Sequence, residues 1–408
     1  MTEPATPRPV HRPAGILPIL AAAASAGVGA ALIYTPSIPD MAREFDRYVG
    51  DLQLTLTFYV VAFGSCQLVH GPLSDRYGRR RLLLIGLALF AFGSLLCLLA
   101  TGVGTLFAAR FVQAVGACAG VVVTRAAMRD LYGPVDAARA MSVIAITISL
   151  APMLAPTIGG FLHVRYGWRA SFELMAAVAA TLFVLVWWRM PETNTARRAE
   201  TSIWRIMTSG FRMLLKTRRF YAYAATLFCA GGGFFAFMAG APVIMIDLYG
   251  LDPDVYGMLT AIPSLGFVGG SLISNRLSVR LGVDRLVAVG TAIQLVGGAL
   301  AVAVALTGRV DIVAVFAPMF VYAFGNGLVI PNAMTASMNL HPGIAGAAAA
   351  LSGFAQMTGA TLGTALQSWA PKTSSLPLGL TLLGAGLFSF VMWRLFGAQK
   401  APAAPDKT

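Results

Sequence analysis

The chain has 408 residues, of which 57% are hydrophobic and 12% charged, with a mean hydropathy of +0.73. That is more apolar side chain than a water-facing surface accommodates, so a lipid bilayer is the expected solvent for most of it. The formal net charge of +13 would suggest nucleic acid if the basic residues formed one patch, but they are distributed between apolar runs, which excludes that reading.

The first apolar run, Ile16 to Ile38, follows Arg8 and Arg12, and its small residues Ala21 to Ala30 resemble the end of a signal peptide. The run continues past them and is long enough to cross a hydrocarbon core about 30 Å thick, which needs roughly 20 helical residues, so it is taken as a span. Six spans are expected near 14–37, 52–70, 82–101, 105–124, 141–162 and 171–190. Six more are expected near 220–246, 256–274, 286–307, 312–331, 345–369 and 376–396. Lys and Arg concentrate in the connections on the side of the two termini, which predicts that both termini are cytoplasmic.

Between the two sets lies the longest polar stretch, with Arg197, Arg198, Arg205, Arg212, Lys216, Arg218 and Arg219. It predicts a first bundle over 1–190, a basic cytoplasmic linker over 191–219 and a second bundle over 220–408. The piece from Trp204 to Lys216 is basic and amphipathic. It is either a solvated connector or a helix that lies on anionic lipid or binds a partner.

The halves echo one another. Leu73-Ser74-Asp75-Arg76-Tyr77-Gly78 followed by Arg81-Leu82 aligns with Leu277-Ser278-Val279-Arg280-Leu281-Gly282 followed by Arg285-Leu286. Phe111-Val112-Gln113-Ala114-Val115-Gly116 aligns with Phe320-Val321-Tyr322-Ala323-Phe324-Gly325. An even number of spans per half leaves the two copies in the same orientation, so they are parallel repeats that can rock about a shared site. The fold class expected is therefore all-α and integral to the membrane, with twelve helices in two pseudo-symmetric six-helix bundles.

After span two, Gly71-Pro72-Leu73-Ser74-Asp75-Arg76-Tyr77-Gly78-Arg79-Arg80-Arg81 packs a turn, a carboxylate and four guanidiniums into one short element. Glycine permits a tight turn, Asp75 can pair with arginine or a helix N-terminus, and the arginines can grip helix ends. Gly71, Asp75, Arg76, Gly78, Arg79 and Arg80 read as a breakable ionic latch. A plain positive-inside anchor would need the arginines but not the glycine framework.

This element resembles the signature of the major facilitator superfamily, and the resemblance extends over all twelve spans. Gln53-Leu54-Thr55-Leu56 through Gln67, Tyr34-Thr35-Pro36-Ser37-Ile38-Pro39, Arg125 to Asp130 and Gly167-Trp168-Arg169 are similar to the Bcr/CflA group of drug:proton antiporters. Span five carries Pro152, Pro156, Gly159 and Gly160, similar to an antiporter motif of that superfamily, with Ala155 where glycine is common. Pro156 weakens the helix and the glycines permit close packing, so a bend at a seam between halves is expected. Small-residue packing like that of Gly266, Gly270, Gly359 and Gly363 is the plainer reading.

Arg110 lies within span four, where a cation is costly and usually functional. The resemblance implies a part in proton-linked exchange, with Gln113 one turn away and Met319 at the equivalent place in span ten. The alternative is a side chain that snorkels to the nearby interface. Where the group usually has an aspartate in span one, this chain has Leu32, and Glu173 at the start of span six is the substitute proton carrier considered, its alternative being an ion pair with Arg165 or Arg169. Tyr34, Tyr59, Gln67, Asn326, Asn332 and Gln356, with Phe234, Phe235, Phe237 and Met238, are cavity-lining candidates, since aromatics with sparse polar groups suit amphipathic ligands.

Cys66, Cys97, Cys118 and Cys229 sit inside apolar runs without paired spacing and read as packing residues. His70, His163 and His341 lie apart, so no metal is expected. No phosphate loop or catalytic cluster is present in the sequence, so no cofactor or enzyme chemistry is expected and a gradient must supply the energy. The expected function is export of small amphipathic molecules from a bacterial cytoplasm through the inner membrane, with protons exchanged and a monomer sufficient. Export of an endogenous metabolite such as a siderophore or nucleoside is the alternative.

Overall fold

The computed structural model describes residues 15–132, 134–194, 203–308, 311–341 and 344–397. Among them every regular element is helical. The first half contains α1 (Ile16–Leu32), α2 (Ile38–Glu44), α3 (Val49–Tyr77), α4 (Arg79–Leu98), α5 (Val103–Leu131), α6 (Pro134–Tyr166) and α7 (Arg169–Arg189). A short α8 (Ile203–Leu214) follows. The second half contains α9 (Arg218–Pro242), α10 (Pro253–Leu259), α11 (Ala261–Leu281), α12 (Val283–Leu306), α13 (Ile312–Asn339), α14 (Ala345–Trp369) and α15 (Leu376–Met392). Below, the linker face is the end of the molecule bearing the α7–α9 connection, and the far face is the other end.

Eleven helices or helix pairs among the described residues are long and apolar enough to cross a bilayer. The expected eleventh span, α14, is long enough at 25 residues but falls outside that set. It carries Ser352, Gln356, Thr358, Thr361, Thr364, Gln367 and Ser368 among its alanines and glycines. It packs against α9 on one side and α3 on the other, so much of its circumference meets protein instead of lipid. Elsewhere the outside of the molecule is apolar, as at Phe92, Ile146, Phe161, Trp187, Leu272 and Leu395.

The two halves share one packing scheme. In the first, α1 packs on α5, α6 and α7, α5 on α3 and α4, and α4 on α7. In the second, α9 packs on α13, α14 and α15, α13 on α11 and α12, and α12 on α15. Glycines set several of these approaches: a Cβ on Gly93 of α4 would lie 2.4 Å from the Gln113 nitrogen, and one on Gly297 of α12 would lie 2.7 Å from that of Tyr322. The hairpin turns agree as well. Gly78 joins α3 to α4 at φ 100°, ψ 149°, and Gly282 joins α11 to α12 at φ 77°, ψ 154°, a region open to glycine and costly for other residues. The halves meet along α3 and α14, and along α6 with α10 and α11.

Near the far face the first span is interrupted. Pro36 and Pro39 lack the amide hydrogens that would continue the ladder, and the chain passes through a 3-10 turn, Thr35–Ser37, into α2. Of the linker, residues 195–202, with Arg197 and Arg198, lie outside the described residues. α8 docks its C-terminal part on α14, with Gly210 against Ala347 and Ile344, and Leu214 buried beside Phe220 and Ala348.

Candidate functional site

Arg110 is fully buried about two turns from the far end of α5, so the guanidinium does not snorkel. Its Nη1 donates to the Ala30 carbonyl at 2.8 Å and to Gln113 Oε1 at 2.6 Å, and its Nη2 donates to the Ala31 carbonyl at 3.3 Å. The break after α1 exposes these carbonyls, because the residues that would have donated to them lie in the turn and the 3-10 segment. They form the negative end of a helix dipole. The guanidinium also lies 4.3 Å from the Tyr59 ring centre and 4.4 Å from that of Tyr34, with Phe172 at 5.9 Å. Dipoles and π faces therefore stabilise a cation that has no carboxylate partner among the described residues.

The surrounding polar groups are tied down in turn. Tyr59 donates to the Gly27 carbonyl at 2.6 Å, Tyr34 shares a 2.7 Å bond with the Thr55 hydroxyl, and Gln113 donates to Ser94 at 2.8 Å. Leu32, at the position of the group's aspartate, is fully buried at the end of α1. All of these groups belong to the first half, so the site lies inside one bundle. It is the helix break that supplies Ala30 and Ala31 as unforeseen partners.

The second half holds a neutral counterpart. Tyr322 of α13 donates to the Cys229 carbonyl of α9 at 2.9 Å, and Asn326 donates to the Ala230 carbonyl at 3.3 Å and accepts from Gln294 at 2.6 Å. Met319, aligned with Arg110, is buried. In each half, then, the fourth span reaches for backbone carbonyls of the first, once with a charge and once without.

Several expected cavity residues are not gathered with Arg110. Asn326 is spent inside the second half, and Asn332 donates to Ser274 at 2.6 Å within it. Phe237 is buried against Phe316, and Phe235 and Met238 are buried too. Gln356 and Gln67 lie at the helix seams, where Cβ atoms on Gly231 and Gly353 would meet them at 2.2 and 2.4 Å respectively. Glu173 is exposed on α7, off the buried face of Phe172, Met175, Ala176 and Ala179, and takes no part in the Arg110 cluster. Its alternative partner Arg169 is taken by Glu44 at 2.7 Å.

At the linker face the α3–α4 turn is clamped within its own half. Asp75 and Arg79 form an ion pair, Arg79 Nε lies 3.0 Å from Asp130 Oδ2 at the end of α5, and the Arg79 amide donates to Glu192 at 2.8 Å. Asn194 donates to the Asp75 carbonyl at 2.6 Å, and Arg80 donates to the Trp187 carbonyl. Glu192 fills the space that a Cβ on Gly78 would need, at 2.3 Å. Arg76 lies exposed over the Tyr77 ring and Gly71 has open space beside it, so neither joins the clamp. The acidic partners Asp130 and Glu192 were not foreseen, being remote in sequence from the turn.

The prolines of α6 do not interrupt it: the helix runs through Pro152 and Pro156 to Tyr166. Its far half is wedged between the halves of the molecule. A Cβ on Gly159 would lie 1.6 Å from the Ile33 carbonyl, and one on Gly160 would lie 2.4 Å from the Pro253 carbonyl across the seam. Thr157 donates to the Gly257 carbonyl of α10 at 2.8 Å. The expected close packing at a seam is therefore present.

Repeated six-helix bundles with an apolar exterior, buried polar clusters and a long mutual seam define a multi-pass membrane transport protein. The chain belongs to the major facilitator superfamily, whose family model matches residues 19–364. It is 30% identical to multidrug resistance protein D of Escherichia coli over 384 residues, 94% of this chain and 96% of that protein. It is 28% identical to the bicyclomycin resistance protein homolog of Haemophilus influenzae over 84% of this chain and 86% of the relative, within the Bcr/CflA type expected from the motifs. Its fold matches the crystal structure of a D-xylose–proton symporter with a TM-score of 0.73 at 15% identity, covering 92% and 96% of the two chains.

Proposed function

We propose that this protein is a drug exporter of the bacterial inner membrane that works by alternating access in exchange for protons, as a monomer with both termini in the cytoplasm. The names of its relatives, which refer to multidrug and bicyclomycin resistance, support the substrate class. The basic linker face supports the orientation, since positive residues stay inside.

The observation that carries the conformational coupling is Arg110. Its guanidinium keeps its proton and is not the proton carrier; held by groups that a small shift of α1 against α5 would withdraw, it gives the protein a fixed charge whose environment changes with conformation. Asp75, Arg79, Asp130 and Glu192 serve as the linker-face clamp, and Gly160 lets α6 close the far end against α10 while Gly159 seats it on Ile33.

The test is efflux of ethidium and of chloramphenicol from inverted vesicles, with and without an imposed pH gradient. Gradient-dependent movement of either compound in the wild-type protein is the expected result. Movement that ignores the gradient removes proton exchange, and movement of neither compound removes drug export.

A further inference from the structure

Gln53 of α3 is fully buried although its side chain is an amide, and both of its polar ends are met by the other half of the molecule. Its Nε2 donates to the Ala239 carbonyl of α9 at 2.6 Å, while its Oε1 accepts from Lys372 Nζ at 2.6 Å. Lys372 sits in the far-face turn between α14 and α15 and also donates to the Gln367 carbonyl. Around this contact Tyr48 donates to the Ala370 carbonyl at 3.4 Å, Thr57 donates to Thr364 at 2.8 Å, and Gly50 packs on the Ser368 carbonyl.

The two residues act in opposite senses. A buried amide with both ends satisfied stabilises the arrangement that satisfies it, because separation of the halves removes both bonds together. A half-buried ammonium surrounded by neutral groups opposes the same arrangement. Lys372 donates to Gln53 and Gln367, and the other residues lining the cleft it borders, among them Gly240, Ile244, Ser374 and Pro377, are uncharged. Asp51 lies two residues from Gln53 on α3 and Asp247 lies beside Leu248, and among the described residues neither forms an ion pair with Lys372.

We propose that Gln53 and Lys372 form the far-face gate of the transporter, Gln53 as the clasp that holds the halves together and Lys372 as the charged spring that opens them. The inference rests on the alternating-access reading above. Burial lowers the Lys372 pKa from its ordinary 10.5 to about 8, so the closed gate binds fewer protons than the open one. Raising the pH from about 8 toward the exposed-lysine value therefore favours closure, and below about 8 the spring is fully charged.

The test uses Ser368→Cys, a buried position under Gly50, in a full-length chain with its four native cysteines changed to alanine, labelled from the far side with a membrane-impermeant maleimide. Gln53→Met is expected to speed labelling about tenfold, the equivalent of about 1.4 kcal/mol of lost hydrogen bonding. Lys372→Met also removes the donor to Gln53 Oε1, so it is read in the Gln53→Met background, where no such bond is left to lose and loss of the ammonium is expected to slow labelling severalfold relative to Gln53→Met. A packing role alone would make the double variant faster than Gln53→Met. The ratio of Gln53→Met to double-variant rates should fall toward one as the pH rises above 8, which cancels the ordinary effect of pH on thiol reactivity. A Gln53→Met rate equal to the wild type, or a double-variant rate at or above that of Gln53→Met, overturns the proposal. If the wild-type reporter stays unlabelled even during ethidium transport, the far face does not open and alternating access falls with it.

Discussion

The Arg110 guanidinium stands 4.3 Å from the centre of the Tyr59 ring, and the Tyr59 hydroxyl in turn holds the Gly27 carbonyl of α1. A cation on α5 and an aromatic ring on α3 thus steady the same broken helix. Replacement of Arg110 should therefore separate folding from transport. The second half tolerates Met319 at the matching place, so Arg110→Met should shift the thermal midpoint by only a few degrees while abolishing gradient-driven efflux. Arg110→Lys keeps the charge but cannot span Ala30 and Ala31 with a planar fork, and should cost about 2 kcal/mol. Thermal unfolding in detergent beside vesicle efflux checks both.

Gly159 and Gly71 give a matched pair for the packing argument. A methyl group on Gly159 would fall 1.6 Å from the Ile33 carbonyl, whereas one on Gly71 meets nothing within 4 Å. Gly159→Ala should destabilise by about 1–3 kcal/mol and depress transport, and Gly71→Ala should be close to neutral in stability. Equal melting behaviour of the two variants would contradict the close packing of α6 on Ile33.

At the linker face, charge and backbone make different predictions. The Asp75 side chain is 45% exposed, so Asp75→Asn should lower stability by less than about 1 kcal/mol. Its effect should appear in transport rate, if the clamp with Arg79 is broken and remade in each cycle. Gly78→Ala meets both a positive φ and the Glu192 carboxylate, and should cost about 1–3 kcal/mol whatever happens to transport. Chemical denaturation alongside initial efflux rates distinguishes the two.

Glu173 provides the negative case. Because its side chain is exposed and lies off the buried face of α7, Glu173→Gln should leave both the rate and the pH profile of efflux unchanged. A displaced pH profile would return it to the coupling mechanism.

Much of this architecture was legible in the residues. Apolar runs gave the helices, the echo of Gly78 in Gly282 gave the repeat, and the price of a cation in lipid singled out Arg110. What helical spacing could not give was direction, since a run that is apolar all round does not say which side faces a partner. Tyr34 and Tyr59 therefore came together with Arg110, while Asn326 and Glu173, equally plausible as letters, were placed elsewhere. The partners of long range, Asp130 and Glu192 on Arg79 or Lys372 on Gln53, leave no local signal, because each pair forms only when distant turns meet. The small, polar sequence of α14 reads as a weak span for a related reason: its neighbours are helices.

The matching glycine turns at Gly78 and Gly282 carry a historical implication. Each is a hairpin that a six-helix ancestor would have needed, and such a chain would have met its own twin in the bilayer. The contacts of α3 with α14 and of α6 with α11 would then descend from a subunit interface, now joined by one polypeptide. While the partners were identical, any substitution struck both at once. Fusion would have freed each half to change alone, and an arginine in one half matched by a methionine in the other is the asymmetry that freedom allows.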